Sequence, residues 1–350
     1  MDVKLGFGEN GHGGCLSVGS DNPEHVRILV TGSSGHLGEA LTRDLSERAH
    51  DVVGLDVLES PSTTVVGSIA DRAVVRSCMA GVDAVVHSAT LHKPHVGSHG
   101  RIEFVETNVA GTLTLLEEAV AANVSRFVFT STTSAFGKAL QPAENKAAAW
   151  ITEDVVPVPR NIYGTTKTAA EDLCQLVWHD YRLPVLILRT SRFFPEPDDR
   201  DEVRSAYDDL NVKVNELLYR RVDIEDVVSA HRLALERAPA IGFGRYIISA
   251  TTPFTREDLS AIRTDLPSVV RRLIPDFEDV FQARGWRMFP AIERVYVNER
   301  ARRELGWAPR YDFRSALDRL REGQDPRSPL ALSIGATGYH EVSTGVYTVR

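Results

Sequence analysis

Apolar and polar residues alternate in blocks from residue 26 onward, with short apolar runs separated by longer amphipathic stretches. The runs have the length of strands and are almost continuous, as expected of strands buried on both faces of a sheet. The predicted strands are Val26–Thr31, Val52–Asp56, Thr64–Val66, Ala84–Ser88, Phe127–Ser131 and Val185–Arg189. The predicted helices between them are Leu37–Arg48, Arg72–Met79, Ile102–Ala122 and Tyr163–Tyr181. This alternation predicts an α/β fold of the Rossmann type, a doubly wound parallel sheet with helices on both faces.

The pattern is less regular after the sixth strand. Pro195–Asn215 carries many charges and few apolar residues, which predicts a surface excursion. The helix Asp226–Arg237, the strand Tyr246–Ser249 and a Pro-punctuated helical region up to Leu320 predict a small C-terminal α/β subdomain that binds substrate. The expected organisation is a flexible arm (1–24), a Rossmann domain (25–190, with contributions from 215–250), a mainly substrate-binding subdomain (191–325) and a tail (326–350).

A glycine-rich turn follows the first strand. Gly32, Gly35 and Gly38 stand between that strand and the first helix, where missing side chains allow a tight turn and a close approach of backbone to a pyrophosphate. The second strand ends at Asp56, whose carboxylate is placed to accept the adenosine ribose hydroxyls and to repel a 2′-phosphate. This context predicts a site for NAD rather than NADP. The alternative for Asp56 is a solvated turn residue.

A tyrosine and a lysine four residues apart begin the last predicted helix. This spacing places Tyr163 and Lys167 on one helical face, so that the ammonium can lie beside the phenol. A free phenol has a pKa of about 10, and a base that works near neutrality needs a drop of about three units. Lysine and a cationic nicotinamide ring could together supply that drop. Tyr163 would then take a hydroxyl proton while Thr132 holds the same oxygen; an incidental Tyr/Lys pair in the scaffold is the alternative.

Several further segments resemble motifs of one enzyme family. They are TGSSGHLG from Thr31, Gly67–Asp71, His87–Thr90, Asn108–Thr112, Phe129–Gly137, the YxxxK of Tyr163 and Lys167, and Leu305–Pro309. Together these segments resemble the extended short-chain dehydrogenase/reductases, the NAD-dependent epimerase/dehydratase family. The resemblance implies Thr132, Tyr163 and Lys167 as catalytic residues and a homodimer. It implies contacts to NAD from Gly32, Gly35, His36, Leu37, Gly38, Asp56, Ser68, Ile69, His87, Ser88, Ala89, Thr90, Asn108, Thr130, Tyr163 and Lys167. For Asn108, a satisfied core amide is the favoured alternative.

The sequence departs from that family in its substrate region. Thr133 and Ser134 replace the Asp-Glu pair of the dehydratases, and neither hydroxyl suits acid–base work at neutral pH, which disfavours dehydration. The segment after the sixth strand is similar to that of uronate dehydrogenases, with Arg192 where sugar-nucleotide enzymes carry Asn. The resulting substrate-contact candidates are His92, Thr133, Ser191, Arg192, Phe193 and Arg200. Arg221 is a further candidate for a substrate carboxylate or phosphate, and surface ion pairs are the alternative for all three arginines.

Composition limits the partners, the location and the metal content that the chain is expected to have. The 350-residue chain has a net charge of −8, the wrong sign for holding nucleic acid, and no apolar run long enough to cross a membrane. The start of the chain does not resemble a secretory signal, and the three cysteines fit neither a disulfide framework nor a zinc site, so a cytoplasmic location is expected. His92, His95 and His99 have no rigid ligand spacing, and no metal is expected.

The favoured function is that of an NAD-dependent oxidoreductase that acts on a hydroxyl of a sugar or sugar-acid-like small molecule. One alternative is a nucleotide-sugar epimerase with tightly bound NAD. The other is a non-catalytic NAD-binding module, which the Thr132, Tyr163 and Lys167 set argues against, because a binding module has no use for a base.

Overall fold

A computed structural model describes residues 25–143 and 146–335 of the chain. The predicted N-terminal arm and the end of the predicted tail lie outside these residues. The central feature is a parallel sheet of seven strands in the order β3-β2-β1-β4-β5-β7-β8. Its strands are β1 (Arg27–Thr31), β2 (Asp51–Asp56), β3 (Val65–Val66), β4 (Ala84–His87), β5 (Arg126–Thr132), β7 (Val185–Thr190) and β8 (Phe243–Ile248). A parallel sheet with this crossover confirms the predicted Rossmann class.

Helices cover both faces of the sheet. They are α1 (His36–Glu47), α2 (Arg72–Cys78), α3 (Arg101–Val105), α4 (Gly111–Ala121), α5 (Ile162–Tyr181) and α8 (Ile224–Ile241). The single helix predicted over Ile102–Ala122 is instead α3 and α4 joined by one π-helical turn, Glu106–Ala110. Such turns commonly occur at functional positions, and this one contains Asn108.

The apolar side chains of the sheet form two core layers, one on each face. This explains why the strands are unbroken apolar runs in the sequence. One layer packs β1, β4, β5, β7 and β8 against α1 and α8, and the other packs the opposite face of the same strands against α2, α4 and α5. Val30 and Val86 belong to the first layer, and Leu29 and Val85 belong to the second. Successive residues of a strand face opposite sides, so both sides here are core.

A second core lies in the C-terminal half of the chain. It includes Val295 of β9 (Arg294–Tyr296), a short strand that pairs in parallel with β6 (Ala149–Ile151). The helices that form it are α6 (Asp201–Ala206), α7 (Asp209–Glu216), α9 (Leu259–Ile262), α10 (Leu266–Leu273), α11 (Phe277–Gln282) and α13 (Phe313–Arg321). Helices α12 (Glu299–Leu305) and α14 (Pro329–Ile334) instead pack into the first layer of the main sheet. None of the described helices is both long and apolar enough to span a membrane.

The prediction of a surface excursion over Pro195–Asn215 is wrong for its second half. Helix α7 is buried along most of its length, and Val212 and Val214 belong to the C-terminal core. Its polar residues are buried because they have partners inside the protein. The amide of Asn215 donates to the carbonyl of Arg287 at 3.1 Å and accepts from the backbone N–H of Phe289 at 2.9 Å. A count of charges alone does not reveal such pairing.

Candidate active site

The glycine-rich turn links β1 to α1 at the carboxyl edge of the sheet. Gly32 has a φ of +73°, and a Cβ there would lie 2.7 Å from the backbone nitrogen of Ala89. A Cβ on Gly38 would lie 1.8 Å from the carbonyl oxygen of Gly32, so helix α1 starts directly against the turn. No side chain caps the start of α1, where Gly35 is the N-cap residue. The first turn of this helix can therefore direct its backbone N–H groups toward an anion.

Asp56 lies beside this turn at the end of β2. Its carboxylate accepts hydrogen bonds from the backbone N–H groups of Ser34 at 3.1 Å and Leu58 at 3.0 Å. The residues that follow, Val57 to Glu59, include no Arg or Lys that could neutralise a 2′-phosphate. The geometry fits the ribose-binding position expected from the sequence.

A cleft of about 480 Å³ runs along the carboxyl edge of the sheet from this turn. Most of the residues predicted to contact cofactor or substrate line it. They are Gly32, Gly35, His36, Leu37, Gly38, Asp56, Ser68, Ile69, Ser88, Ala89, Thr90, His92, Thr130, Thr132, Thr133, Tyr163, Ser191, Arg192 and Phe193. The chain thus brings these candidates, from seven separate segments, to one continuous surface.

His87 and Asn108 lie behind the wall of the cleft. The ring of His87 is fully buried and bonds the hydroxyls of Thr31 at 2.8 Å and Thr112 at 2.9 Å. Asn108 accepts from the backbone N–H of Leu91 at 2.8 Å and donates to the hydroxyl of Thr166 at 3.0 Å. In this structure both residues support the cleft from within, which is the core role that the sequence favoured for Asn108.

Thr132 and Tyr163 meet at one end of the cleft. Thr132 ends β5, Tyr163 lies in the first turn of α5, and both line the cleft. Burial raises the pKa of the Tyr163 phenol to about 12, and the Thr132 side chain acts in the opposite direction. The lowered pKa that the sequence analysis requires of a base is therefore not present in the protein alone, where burial dominates. The phenol is protonated at neutral pH and can donate a proton.

Lys167 lies one turn further along α5 and is 2% exposed. Its ammonium lies 3.9 Å from the centroid of the Phe129 ring, and burial lowers its pKa to about 7. The side chain is not part of the cleft surface in this structure. Its position one helical turn after Tyr163 is the one expected of a residue that acts on the phenol.

The three arginine candidates have different positions. The Arg192 guanidinium lines the cleft and donates to Asp198 at 2.7 Å and to Glu216 at 3.4 Å. Arg221 is buried and donates to Glu216 at 2.8 Å. The Arg200 side chain is 67% exposed, lies 3.9 Å from Asp198 and does not line the cleft. Arg192 and Arg221 are thus paired inside the protein, and the structure does not bring Arg200 to the site.

The histidines of the loop after β4 are packed rather than grouped around an empty centre. The His92 ring stacks on Phe194 at 5.5 Å between centroids, and the His95 ring lies edge-on to both His92 and His99. Across the described ranges 25–143 and 146–335, no group of three or more His, Cys, Asp or Glu side chains could hold a metal ion.

A protein-family model matches the chain over residues 28–248, which is more than half of its length. Its description is the NAD-dependent epimerase/dehydratase family. The chain belongs to this family.

Family members with different activities resemble the chain over most of its length. A 2-alkyl-3-oxoalkanoate reductase from Stenotrophomonas maltophilia is 29% identical over 343 residues, covering 85% of this chain and 98% of the relative. A UDP-glucose 4-epimerase from Halalkalibacterium halodurans is 25% identical over 320 residues, covering 82% and 91%. A crystal structure of a short-chain dehydrogenase/reductase superfamily protein from Agrobacterium tumefaciens with bound NAD has a TM-score of 0.59 at 25% identity, covering 85% and 95%.

The residues of the cleft fit the cofactor of this family. The glycine turn leaves space for a pyrophosphate, Asp56 is held by two backbone N–H groups, and the uncapped α1 offers a positive helix end. The hydroxyl of Ser191 is buried on the cleft wall, and it has no hydrogen-bond partner among the described residues. A buried hydroxyl without a partner is costly, and a bound ligand can satisfy it.

The residues of the cleft wall that were not identified from the sequence include Lys93, Glu196, Asp199, Arg220 and Tyr296. Lys93 and Asp199 form an ion pair, and the Arg220 side chain is 36% exposed while it donates to Glu216 at 2.6 Å. Arg220 adjoins Arg221 in sequence, and that arginine pair before the α8 cap was the available signal. Tyr296 lies on β9, and no family motif marks it.

Proposed function

We propose that this protein is an NAD-dependent oxidoreductase that transfers hydride between NAD and a hydroxyl-bearing carbon of a sugar or sugar-acid-like substrate. The observation that carries this proposal is that Thr132 and Tyr163 line the same cleft as the glycine turn and Asp56. Lys167 is buried one helical turn after Tyr163 on α5. A non-catalytic module has no need for this arrangement, and we therefore propose an enzyme.

Each residue has a separate task in this reaction. Gly32, Gly35 and the start of α1 would hold the cofactor pyrophosphate, and Asp56 would hold the adenosine ribose. Bound NAD supplies the acceptor for the hydride that leaves the substrate carbon. The hydroxyl of Thr132 would orient the reacting oxygen, and Tyr163 would take its proton in oxidation or return it in reduction. Because the phenol is protonated in the protein alone, the reductive direction starts with the proton in place.

The outer part of the cleft has both hydrogen-bond donors and acceptors, a mixture that suits a sugar-like substrate. Lys93 and Arg220 can donate, Glu196 and Asp199 can accept, and Thr133 can do both. Lys93 is paired with Asp199, and Arg192 and Arg220 are paired with Glu216. Because these cations are already paired inside the protein, this wall suits hydroxyl groups better than it suits a highly charged nucleotide diphosphate. We assign substrate contacts to His92, Thr133, Ser191, Arg192 and Phe193, together with Arg220.

Reduction of a 3-oxo acid is the second candidate. The reductase from S. maltophilia aligns with nearly its whole length, and Phe193, Phe194 and Leu91 give the cleft an apolar portion where an alkyl chain could lie. Nucleotide-sugar epimerisation is the third, because an epimerase also aligns over most of its length. It differs from the others in producing no net change in NADH.

The test is a substrate panel followed by NADH absorbance. Free sugars and sugar acids would be offered with NAD, 3-oxo acids with NADH, and sugar nucleotides with NAD under chromatographic detection of epimers. We expect net NADH formation with a sugar or sugar acid. Turnover confined to 3-oxo acids, or epimer formation without NADH, would replace the proposal with the second or third candidate.

We also propose a homodimer formed through the helices α3, α4 and α5, with a cytoplasmic location. The support for the dimer is a set of exposed apolar side chains on α3 and α5, which pack against each other: Ile102, Val105, Leu176 and Tyr181. Exposed apolar residues on neighbouring helices are typical of an interface.

A further inference from the structure

A buried carboxylate lies one helical turn beyond Lys167. The side chain of Glu171 is 1% exposed. It accepts hydrogen bonds from the hydroxyl of Ser131 at 2.5 Å, from Nε of Arg189 at 3.0 Å and from Nη2 of Arg189 at 2.6 Å. The guanidinium of Arg245 lies 3.3 Å from the same carboxylate. One side chain of α5 thus joins three neighbouring strands of the sheet.

One of these contacts, the Ser131–Glu171 hydrogen bond, is adjacent to the proposed reaction centre. Ser131 immediately precedes Thr132 on β5, and Glu171 is on the helix that carries Tyr163 and Lys167. The Ser131–Glu171 hydrogen bond therefore ties the end of β5 to α5 next to the point where Thr132 meets Tyr163. A shift of α5 along β5 would change the distance between those two hydroxyls.

The charges around Lys167 indicate how Glu171 affects its protonation state. The ammonium lies over the Phe129 ring on β5 and interacts electrostatically with the His87 ring on β4, and neither ring carries a negative charge. On its own helix, Tyr163 and Glu171 are four residues before and after it, one helical turn away on the same face, and Glu171 is the carboxylate. The guanidiniums of Arg189 and Arg245 lie on β7 and β8, behind Glu171. A buried ammonium without a nearby carboxylate favours its neutral form.

We propose that Glu171 is a positioning residue, which favours the charged form of the Lys167 ammonium and fixes α5 against β5 at the level of Thr132 and Tyr163. The use of a charged Lys167 in catalysis rests on the proposed function. The effect of Glu171 on that charge does not, since it concerns the protein alone.

The direction of the pKa effects agrees with this geometry. Burial lowers the pKa of Lys167 to about 7, while Cys174 and Glu171 act to raise it. Burial also raises the pKa of the Cys174 thiol, which is therefore uncharged at neutral pH. The negative charge that remains to oppose the burial of Lys167 is that of Glu171.

The decisive measurement is the titration of Lys167 itself, followed by NMR of the 13C-labelled lysine ε-carbons and assigned by loss of the signal in Lys167→Met. Glu171→Gln removes the charge and keeps most of the shape. We expect it to lower the titration midpoint of Lys167 by about one pH unit. Ser131→Ala removes one hydrogen bond and keeps the charge, and we expect the midpoint to stay in place. Glu118→Gln is the matched control, because Glu118 is a buried carboxylate on α4 held by Arg72 and Arg76.

Loss of a buried partner can unfold a protein, so Arg245→Met provides a second test. This change removes a cation from Glu171 at the partly exposed side of the cluster. We expect it to raise the Lys167 midpoint, the opposite of Glu171→Gln. An unchanged midpoint in both folded variants, or equal shifts in Glu171→Gln and Glu118→Gln, would overturn the proposal.

A separate activity measurement keeps this proposal apart from the proposed function. With a substrate from the panel, Glu171→Gln should shift the pH profile of kcat, whereas Ser131→Ala should lower kcat without shifting the profile. A shifted Lys167 titration in a protein that shows no NAD-linked turnover would support the role of Glu171 and reject the oxidoreductase.

Discussion

The carboxylate of Asp56 accepts a hydrogen bond from the backbone N–H of Ser34 at 3.1 Å. This bond joins the end of β2 to the glycine turn, so the residue that selects the ribose is fixed relative to the pyrophosphate site. We predict that Asp56→Arg shifts cofactor preference toward NADP, because it removes an acceptor for the ribose hydroxyls and adds a partner for a 2′-phosphate. Fluorescence titration with NADH and NADPH measures the preference.

Asp56→Asn serves as the matched control, since an amide oxygen can still accept from Ser34 but carries no charge. It should weaken NADH binding less than Asp56→Arg and gain little affinity for NADPH. Unchanged NADH affinity in Asp56→Arg would mean that Asp56 is a solvated turn residue.

Substitutions at Gly35 and Gly38 distinguish the role of the turn in binding the cofactor from its role in folding. Its φ of −76° and ψ of 161° suit a branched residue, so Gly35→Val should leave the fold intact while its side chain blocks the pyrophosphate. Gly38→Ala should instead destabilise the protein, because its Cβ would meet the Gly32 carbonyl. Circular dichroism and NADH titration compare the two variants. Unfolding of Gly35→Val would indicate that the glycine is needed for folding.

The sheet could be predicted from the sequence because its strands are buried on both faces and appear as unbroken apolar runs. The positions of Thr132 and Tyr163 followed from motif spacing, since the ends of parallel strands and the following helix starts share one edge of a sheet. The burial of helix α7 and the pairing of Arg192 with Glu216 could not be predicted. Glu216 ends α7 and is a buried carboxylate, and its partner Arg192 is 24 residues away in sequence. The residue on β9, Tyr296, reaches the cleft only through tertiary packing.

The buried carboxylate of Glu216 leads to a prediction about the stability of the protein. Its carboxylate is fully buried, and although burial opposes ionisation, Arg221, Arg220 and Arg192 lower its pKa to about 2. A folded-state pKa below the usual value of 4.5 stabilises the protein above pH 4.5, and this contribution is lost as the pH falls toward 2. At pH 7 we expect Glu216→Gln to lower the free energy of unfolding by about 3 kcal/mol.

Urea unfolding at several pH values tests this expectation. The difference between wild type and Glu216→Gln should shrink as the pH approaches 2. Asp201→Asn provides the comparison, because the Asp201 carboxylate is 85% exposed and its ion pair with Arg204 should contribute less than about 1 kcal/mol. A difference for Glu216→Gln that does not depend on pH would show that shape, and not charge, accounts for its effect.

The proposed dimer predicts a particle mass twice the 38.6 kDa of the chain at micromolar concentration. Introducing charge on the apolar surface of α3 and α5, with Ile102→Glu and Leu176→Glu together, should yield monomers, because burying two unpaired carboxylates is unfavourable. Leu140→Glu is the control at an exposed apolar residue outside those helices. Light scattering distinguishes the states, and a wild-type mass equal to one chain would refute the dimer.

The central claim is that Tyr163 moves the proton of the reacting hydroxyl, and one substitution addresses it directly. Tyr163→Phe removes the phenolic oxygen and keeps the ring, so it should leave NADH affinity within a few-fold of wild type. With any substrate that the wild type turns over, we expect kcat to fall by about 100-fold or more, the usual contribution of a positioned acid–base group. Lys167→Met should reduce kcat at least as much and weaken NADH binding as well. A Tyr163→Phe enzyme that keeps kcat within a few-fold of wild type would contradict the mechanism and assign the tyrosine and lysine to the scaffold.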